Sequence, residues 1–296
     1  MLISASARFS LLACAVTVAI VTAGSAASVG VAAAQQTGTP KQLIVALHVT
    51  DKKGVPLSDV TAAELEVTEN GKSRSVQAVE LDTRPLAVAL VVDNNTELST
   101  SFMQSVVPAG VATVKALPPG TTIDVWTTGD RPSRVAKAVD AAGAETALKG
   151  IGAIGTNALL NTMSEASQAL PTDDGHRTAV IVMTGSTLGD AGGYEQSLKA
   201  TSTKPTFLGL ELFLAHPDAR IENALELFAA QTGGYFDRIL SITAFEKRGP
   251  ALVALLNAQY RVVWEPGGDP RETKFEFKCT RKGTKVIAAQ RMSAVW

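Results

Sequence analysis

Cysteine and histidine are scarce in the sequence, which has two cysteines and three histidines among its 296 residues. Cys14 falls in an N-terminal segment that we predict is removed, so Cys279 is left as a single thiol and no intrachain disulfide can form. No cysteines or histidines have the spacing of a zinc site, and no G-x-S-x-G nucleophile elbow surrounds Ser186. We therefore predict that the protein is not an enzyme.

Neither sign of charge is in excess. The chain has 27 basic and 28 acidic residues, a net charge of −1 at pH 7, and loss of the N-terminal segment would remove only Arg8. A chain without a basic surplus has little electrostatic attraction for nucleic acid or for anionic membrane surfaces. We expect a protein or another macromolecule as its partner, and no nucleic acid.

The first 34 residues contain a hydrophobic run that differs from the rest of the chain. Arg8 precedes the apolar stretch LLACAVTVAIVTA, and small residues lead up to Ala34. This order is typical of a secretory signal peptide, and the run is shorter than the roughly 20 residues of a membrane span. We predict cleavage after Ala34 and export to the periplasm, the cell envelope or the medium, with no membrane span in the mature chain. An uncleaved membrane anchor is the alternative.

Residues 35–84 have the pattern of short β-strands. Apolar stretches occur in LIVALHV, ELEVT and SVQAVEL. The Asn70-Gly71 pair predicts a hairpin, because both central residues of a type I′ turn need positive φ. So few strands cannot bury a core by themselves.

The pattern changes at Pro85, from which aliphatic strands alternate with longer helical segments. Near-continuous apolar runs are typical of strands covered on both faces. The alternation predicts a doubly wound, mostly parallel sheet of the Rossmann-like type, with helices on both sides. Pro108 and Gly110 are expected to kink or break the first helix. We place strands at residues 85–93, 121–128, 177–184 and 205–214, and helices at 97–117, 141–149, 157–170 and 219–232.

Residues 259–296 return to β structure, in the stretches YRVVWEP, KFEFKCT and KVIAAQ. This segment also has too few strands for an independent core. We predict that it pairs with residues 35–84 in a small β-sandwich-like domain. The α/β domain, residues 85–258, is then inserted between the two halves of that sandwich.

Two of the predicted central strands end in a polar residue: Asp93 is the last residue of the first strand, and Thr184 is the last residue of the third. Ligands of such sheets bind outside the carboxyl ends of the strands. The stretch VVDNNTELS, residues 91–99, is therefore either a cation site or only the turn from strand to helix. The stretch GIGAIG at residues 150–155 matches G-x-G-x-x-G, but it follows a predicted helix and not a strand, so we expect a loop and no dinucleotide site.

Several pieces of the sequence stand in the order found in a known family. They are VTDKKGVPLSDVTAAELEVTENGK, RPLAVALVVDNN, GTNALLNTM, AVIVMTG and LFAAQTGGYFDRI. The chain resembles von Willebrand factor A (VWA) domains and, more narrowly, the secreted VWA-related family described from Acidobacteria. The resemblance covers nearly all of residues 42–291 and implies a VWA-like fold.

VWA domains bind a divalent cation at a metal-ion-dependent adhesion site (MIDAS), made of Asp-x-Ser-x-Ser, a loop Thr and a later Asp. The resemblance places Asp93 at the first position, Asn95 and Glu97 at the two Ser positions and Thr156 at the Thr position. Gly185 stands where the later Asp is expected. The resemblance therefore implies either a degenerate loop with no cofactor, or an altered Mg²⁺ or Ca²⁺ site, because Asn and Glu also offer oxygen ligands.

The function implied by this resemblance is that of an exported binding module. Protein or adhesive ligands would bind at the carboxyl edge of the sheet, around the degenerate MIDAS and Gly185, Ser186 and Thr187. The alternative is a structural or assembly component of the cell envelope, in which the β domain makes the contacts and no metal or ligand site exists.

Overall fold

The computed structural model describes residues 40–98, 100–185, 206–212, 219–270, 273–289 and 293–295. The predicted signal peptide, residues 1–34, lies outside this part of the chain. The described strands are β1 Gln42–Asp51, β2 Leu65–Glu69, β3 Lys72–Arg74, β4 Val76–Leu81, β5 Leu86–Val92, β6 Thr122–Thr127, β7 Ser133–Val139, β8 Arg177–Thr184, β9 Thr206–Leu212, β10 Tyr235–Ile239, β11 Tyr260–Trp264, β12 Phe275–Cys279, β13 Thr284–Ala288 and β14 Ser293–Val295. The described helices are α1 Thr100–Ala116, α2 Ala141–Lys149, α3 Leu159–Ala169, α4 Ala219–Thr232 and α5 Ile242–Asn257. Among the described residues, no helix is long and apolar enough to cross a membrane.

The central sheet has the strand order β10-β9-β8-β5-β6-β7. Its strands run parallel except β7, which pairs antiparallel with β6 at one edge. Every residue of β5 is buried. Its even-numbered residues pack in one core with α1, α2 and α5, and its odd-numbered residues pack in a second core with α3 and α4. The predicted doubly wound, mostly parallel sheet is thus confirmed.

Both ends of the described chain contribute to two smaller antiparallel sheets. One has the order β13-β1-β11-β4, with β14 also paired to β1, and the other has the order β12-β2-β3. Leu43, Val45 and Leu47 point from β1 into a core that both sheets share, where Trp264 is fully buried with Phe275 and Phe277 at its ring. The predicted sandwich of the two chain ends is present, whereas the domain boundaries remain predictions.

The hairpin predicted at Asn70-Gly71 joins β2 and β3. Asn70 has a φ of 48° and Gly71 a φ of 77°, so both adopt the left-handed conformation that this turn requires. The hairpin is therefore confirmed.

Of the predicted kink or break in the first helix, the break does not occur, since α1 continues through Pro108 and Gly110. Tertiary packing outweighs the local cost. A Cβ at Gly110 would lie 3.1 Å from Leu148 of α2, so the glycine permits close helix packing. A Cβ at Gly249 of α5 would overlap the side chain of Thr113 in α1, so this glycine also permits close helix packing. These interruptions in the sequence are contact points between helices.

His48 of β1 is a buried histidine between the sandwich and the α/β domain. Its exposed fraction is 1%, and neither ring nitrogen makes a hydrogen bond of good geometry with a described residue. Burial is the main cause that lowers the pKa of His48 to about 4. The positive charge of Arg177 lowers the pKa further, whereas the polar backbone of Leu255 acts to raise it. The imidazole is therefore held neutral in the folded protein.

We expect acid to destabilise the protein through His48. Between the ordinary pKa of 6.5 and the lowered pKa of about 4, the unfolded chain binds a proton that the folded protein does not, so stability falls as pH falls. This contributes about 2 kcal/mol between pH 7 and pH 5. Denaturant unfolding at both pH values should show a smaller difference for His48→Leu than for wild type. His176→Gln, at a half-exposed histidine, is the control, and equal differences in all three proteins would contradict the assignment.

Candidate functional site

Three parallel strands bring polar residues together at the carboxyl edge of the central sheet. Asp93 directly follows β5, Thr128 directly follows β6, and Thr184 is the last residue of β8. All three are buried. The strands β6 and β8 flank β5 in the sheet, so the two threonines lie on either side of Asp93.

Within the part of the chain that the structure describes, three side chains donate hydrogen bonds to the Asp93 carboxylate. Thr184 Oγ1 donates to Asp93 Oδ2 at 2.6 Å, and Thr128 Oγ1 donates to Oδ1 at 2.8 Å. Asn95 Nδ2 donates to the same Oδ1 at 3.0 Å. Neutral donors therefore compensate a buried charge, as a buried carboxylate requires.

Asn95 is oriented by hydrogen bonds at both ends of its amide. While Nδ2 donates to Asp93, Oδ1 accepts from the backbone N–H of Glu97 at 2.9 Å. The opposite orientation would place Oδ1 against a carboxylate and an NH₂ group against an N–H, so the network fixes the amide as described. The Asn95 oxygen thus faces the backbone of its own loop.

Asn94 joins the loops that follow β5, β6 and α2. Its Oδ1 accepts from the backbone N–H of Gly129 at 2.9 Å, and its Nδ2 donates to the Gly152 carbonyl at 2.8 Å. Its own carbonyl accepts from Ile154 N–H at 2.8 Å. The segment 150–155 follows α2 and forms part of this edge, as expected of a loop.

Glu97 and Thr156 are both exposed at this edge. Thr96, beside Glu97, donates through its N–H and its Oγ1 to the Gly155 carbonyl, at 3.0 and 2.7 Å. The two loops therefore meet. Thr156 N–H donates to Asp130 Oδ1 at 2.8 Å, which adds a second exposed carboxylate to the edge.

Gly185 is buried directly after β8. A Cβ at this position would lie 2.8 Å from the ring of Phe102 and 3.3 Å from Leu98 Cδ2. Phe102, in α1, is fully buried and contacts Phe245 edge to face. The aromatic ring therefore occupies the space that a side chain at position 185 would need. Ser186 and Thr187 lie outside the described residues.

Among the described residues, the arrangement around Asp93 is poorly matched to Mg²⁺ or Ca²⁺. Ca²⁺ takes six to eight oxygen ligands, and Mg²⁺ takes six in an octahedral array, usually one or two carboxylates together with several waters. Both Asp93 oxygens already accept protein hydrogen bonds, and Asn95 directs an N–H toward the carboxylate. No group of three or more His, Cys, Asp or Glu within the described ranges is placed to hold a metal.

Thr128, Asn94 and Asp130 are site residues that the sequence analysis does not single out. The rule that identifies Asp93, a polar residue at the end of an apolar strand, also applies to TTGD, residues 127–130. The predicted strand over residues 121–128 includes Thr128, so Thr128 is not recognised as the residue that follows the strand. Asn94 carries no signal of its own, because its role depends on two loops distant in sequence.

The fold is that of a VWA domain. A von Willebrand factor type A structure from Catenulispora acidiphila aligns with a TM-score of 0.52 at 12% identity, over 88% of this chain and 75% of that chain. Proximal thread matrix protein 1 from the mussel byssus, with a zinc-occupied MIDAS motif, aligns with a TM-score of 0.51 at 16% identity, over 65% of this chain and half of its own length. No protein-family model matches the sequence, and no curated protein matches it significantly.

Proposed function

We propose that this protein is an exported VWA-like binding module that holds a protein or adhesive ligand at the carboxyl edge of its sheet without a metal ion. The signal peptide at residues 1–34 and the inserted domain at residues 85–258 are parts of this proposal. No catalytic role is included.

The ligand-binding surface in this proposal is the edge surface, defined as Thr96, Glu97, Asp130, Ile154 and Thr156. The observation that carries the proposal is Ile154, a large apolar side chain that is 59% exposed on a loop fixed by backbone hydrogen bonds. An apolar side chain on a pre-ordered loop binds a partner at a low entropic cost.

Two features support a rigid edge surface. Asn94 connects the loops of the edge surface, and Ile154 Cγ2 would lie 3.4 Å from a Cβ at Gly129, so the isoleucine packs over a residue without a side chain.

The exposed carboxylates of Glu97 and Asp130 beside Ile154 suit a partner that combines an apolar group with basic side chains.

We expect a photoreactive residue at position 154 to cross-link to a partner in the envelope or extracellular fraction of the source organism. The matched control is position 55, where Val55 is 54% exposed on the sandwich. Cross-linked products would be compared on gels with and without EDTA. Cross-linking at position 154 that persists in EDTA is the expected result, because no cation takes part.

The two positions also separate the alternative function from the proposed one. A specific product from position 55, with none from position 154, would mean that the sandwich makes the contacts, as expected of an envelope assembly component. A product at position 154 that disappears in EDTA would contradict the metal-independent part of the proposal.

A further inference from the structure

A groove of about 560 Å³ lies where the sandwich meets the α/β domain. It is lined by the turn after β1, the amino end of β10, one side of α5, and β13 with its preceding turn. Asp93 lies at the carboxyl end of the sheet, so this groove is separate from the edge surface. Its volume is in the range of small-molecule sites, which often occur at such domain junctions.

The floor of the groove is apolar. It includes Leu252 and Leu255, which are buried in α5, and Ile287 of β13, which is half-buried. Ala251 also lines the groove and is exposed on α5. A hydrocarbon group could therefore lose water against these side chains.

The rim of the groove is basic, although the chain as a whole is slightly acidic. Four cationic residues line the groove against two acidic ones, Asp51 and Asp237. Asp237 is already paired with Arg248, with 3.2 Å between Oδ2 and Nε. The lysines at positions 52, 53 and 285 are exposed and form no ion pair with a described residue.

Two local features fix the basic rim in place. Asp51 Oδ1 accepts from the backbone N–H groups of Lys53 and Val55, at 2.7 and 2.9 Å, which orders the turn after β1. The stem of Lys52 lies over Gly283, where a Cβ would be 2.8 Å from Lys52 Cε. Asp51 is therefore occupied with holding the turn, and its charge does not pair with the lysines.

Tyr235 adds a polar group on the β10 side of the groove. Burial raises the pKa of the Tyr235 phenol, and the charge of Asp237 raises it further, while Arg248 opposes the shift. The hydroxyl therefore stays protonated at neutral pH and can donate a hydrogen bond.

We propose that this groove binds a small amphipathic anion, with a carboxylate or phosphate headgroup at the lysine rim and a hydrocarbon body on the apolar floor. The acidic group forms charge-assisted hydrogen bonds with lysine ammonium groups that form no ion pair with a described carboxylate. The hydrocarbon part supplies affinity through burial, and the headgroup fixes its orientation.

Isothermal titration of the whole protein with decanoate, decyl phosphate and decanol, each below its micelle concentration, tests the proposal. We expect at least one anion to bind about tenfold more tightly than decanol, since one charge-assisted contact contributes about that factor. Which anion binds better distinguishes a carboxylate from a phosphate headgroup. The double variant K52Q/K285Q should remove this preference for the anion.

A steric variant locates the binding. Ala251→Phe should fill the groove and abolish anion binding, whereas Ala254→Phe, at an exposed alanine of α5 that does not line the groove, should leave it unchanged. Circular dichroism shows whether both variants fold. Absence of anion binding, equal affinity for decanol, or binding that survives Ala251→Phe in the folded protein would each overturn the proposal.

Discussion

Replacing Gly185 by aspartate is expected to lower the free energy of unfolding by about 4 kcal/mol, because the new side chain is both oversized and charged in a buried site. A Cβ at this position would already lie 2.8 Å from the Phe102 ring, before any carboxylate is added. Phe102 is fully buried and its ring packs edge to face on Phe245, so moving it would disturb the core. The substitution that would restore the later Asp of the MIDAS pattern should therefore damage the core.

Gly152→Asp is the matched control for this prediction. Gly152 lies at the same edge and is exposed, and a Cβ added there would meet nothing within 4 Å. Denaturant unfolding of both variants, with Mg²⁺ and with EDTA, gives the comparison. We expect a large loss only for Gly185→Asp and no recovery with Mg²⁺. A Gly185→Asp protein that is as stable as wild type and gains stability in Mg²⁺ would contradict the packing argument.

Asp93→Ala is expected to lower the free energy of unfolding by about 3 kcal/mol in the presence or absence of divalent cations. The change removes the acceptor of the hydrogen bonds that Thr128, Thr184 and Asn95 donate in a buried site, and the loss of each buried hydrogen bond is costly. The carboxylate thus acts as the acceptor that joins three loops. Chemical denaturation in EDTA and in Mg²⁺ measures the loss.

Two further variants separate this role from a general effect of charge. Asp93→Asn keeps the shape and one acceptor oxygen, so its loss should be about 1 kcal/mol. Asp130→Ala removes an exposed carboxylate from the same edge together with its one hydrogen bond from Thr156 N–H, and should cost no more than about 1 kcal/mol. Equal losses for Asp93→Ala and Asp130→Ala would show that the buried network contributes nothing specific.

The sequence was sufficient to predict the elements whose pattern is local. The β5 strand has an uninterrupted aliphatic run because both of its faces are covered, and the Asn70-Gly71 pair determines its own turn. Asp93 could be placed at the carboxyl edge of the sheet because strand order and direction follow from the alternation of strands and helices.

Elements stabilised mainly by distant contacts were missed. The strand β7 is polar and largely exposed at the sheet edge, so it lacks the apolar run of the inner strands. The helix α5 contains Gly249 and Pro250, which suggest a break, yet its packing on α1 keeps it helical. Here tertiary contacts outweigh the local preferences.

The chemistry of the edge was equally inaccessible from the sequence. Asn95 and Glu97 are both oxygen-bearing residues, and only the network shows that the Asn95 oxygen faces the loop backbone while Glu97 is exposed. Likewise, Gly185 marks a missing ligand in the sequence, but only the structure shows that Phe102 fills the space beside it.

The most direct test of a metal-independent edge is the melting temperature of the wild-type protein in EDTA and in saturating Mg²⁺, Ca²⁺ or Zn²⁺. A cation bound only by the folded protein would stabilise it by about 3 kcal/mol at a hundredfold excess over its dissociation constant. In a chain of this size that corresponds to several degrees. We predict a change within about 1 °C for each ion. A saturable rise of several degrees that is lost in Asp93→Ala would contradict the account.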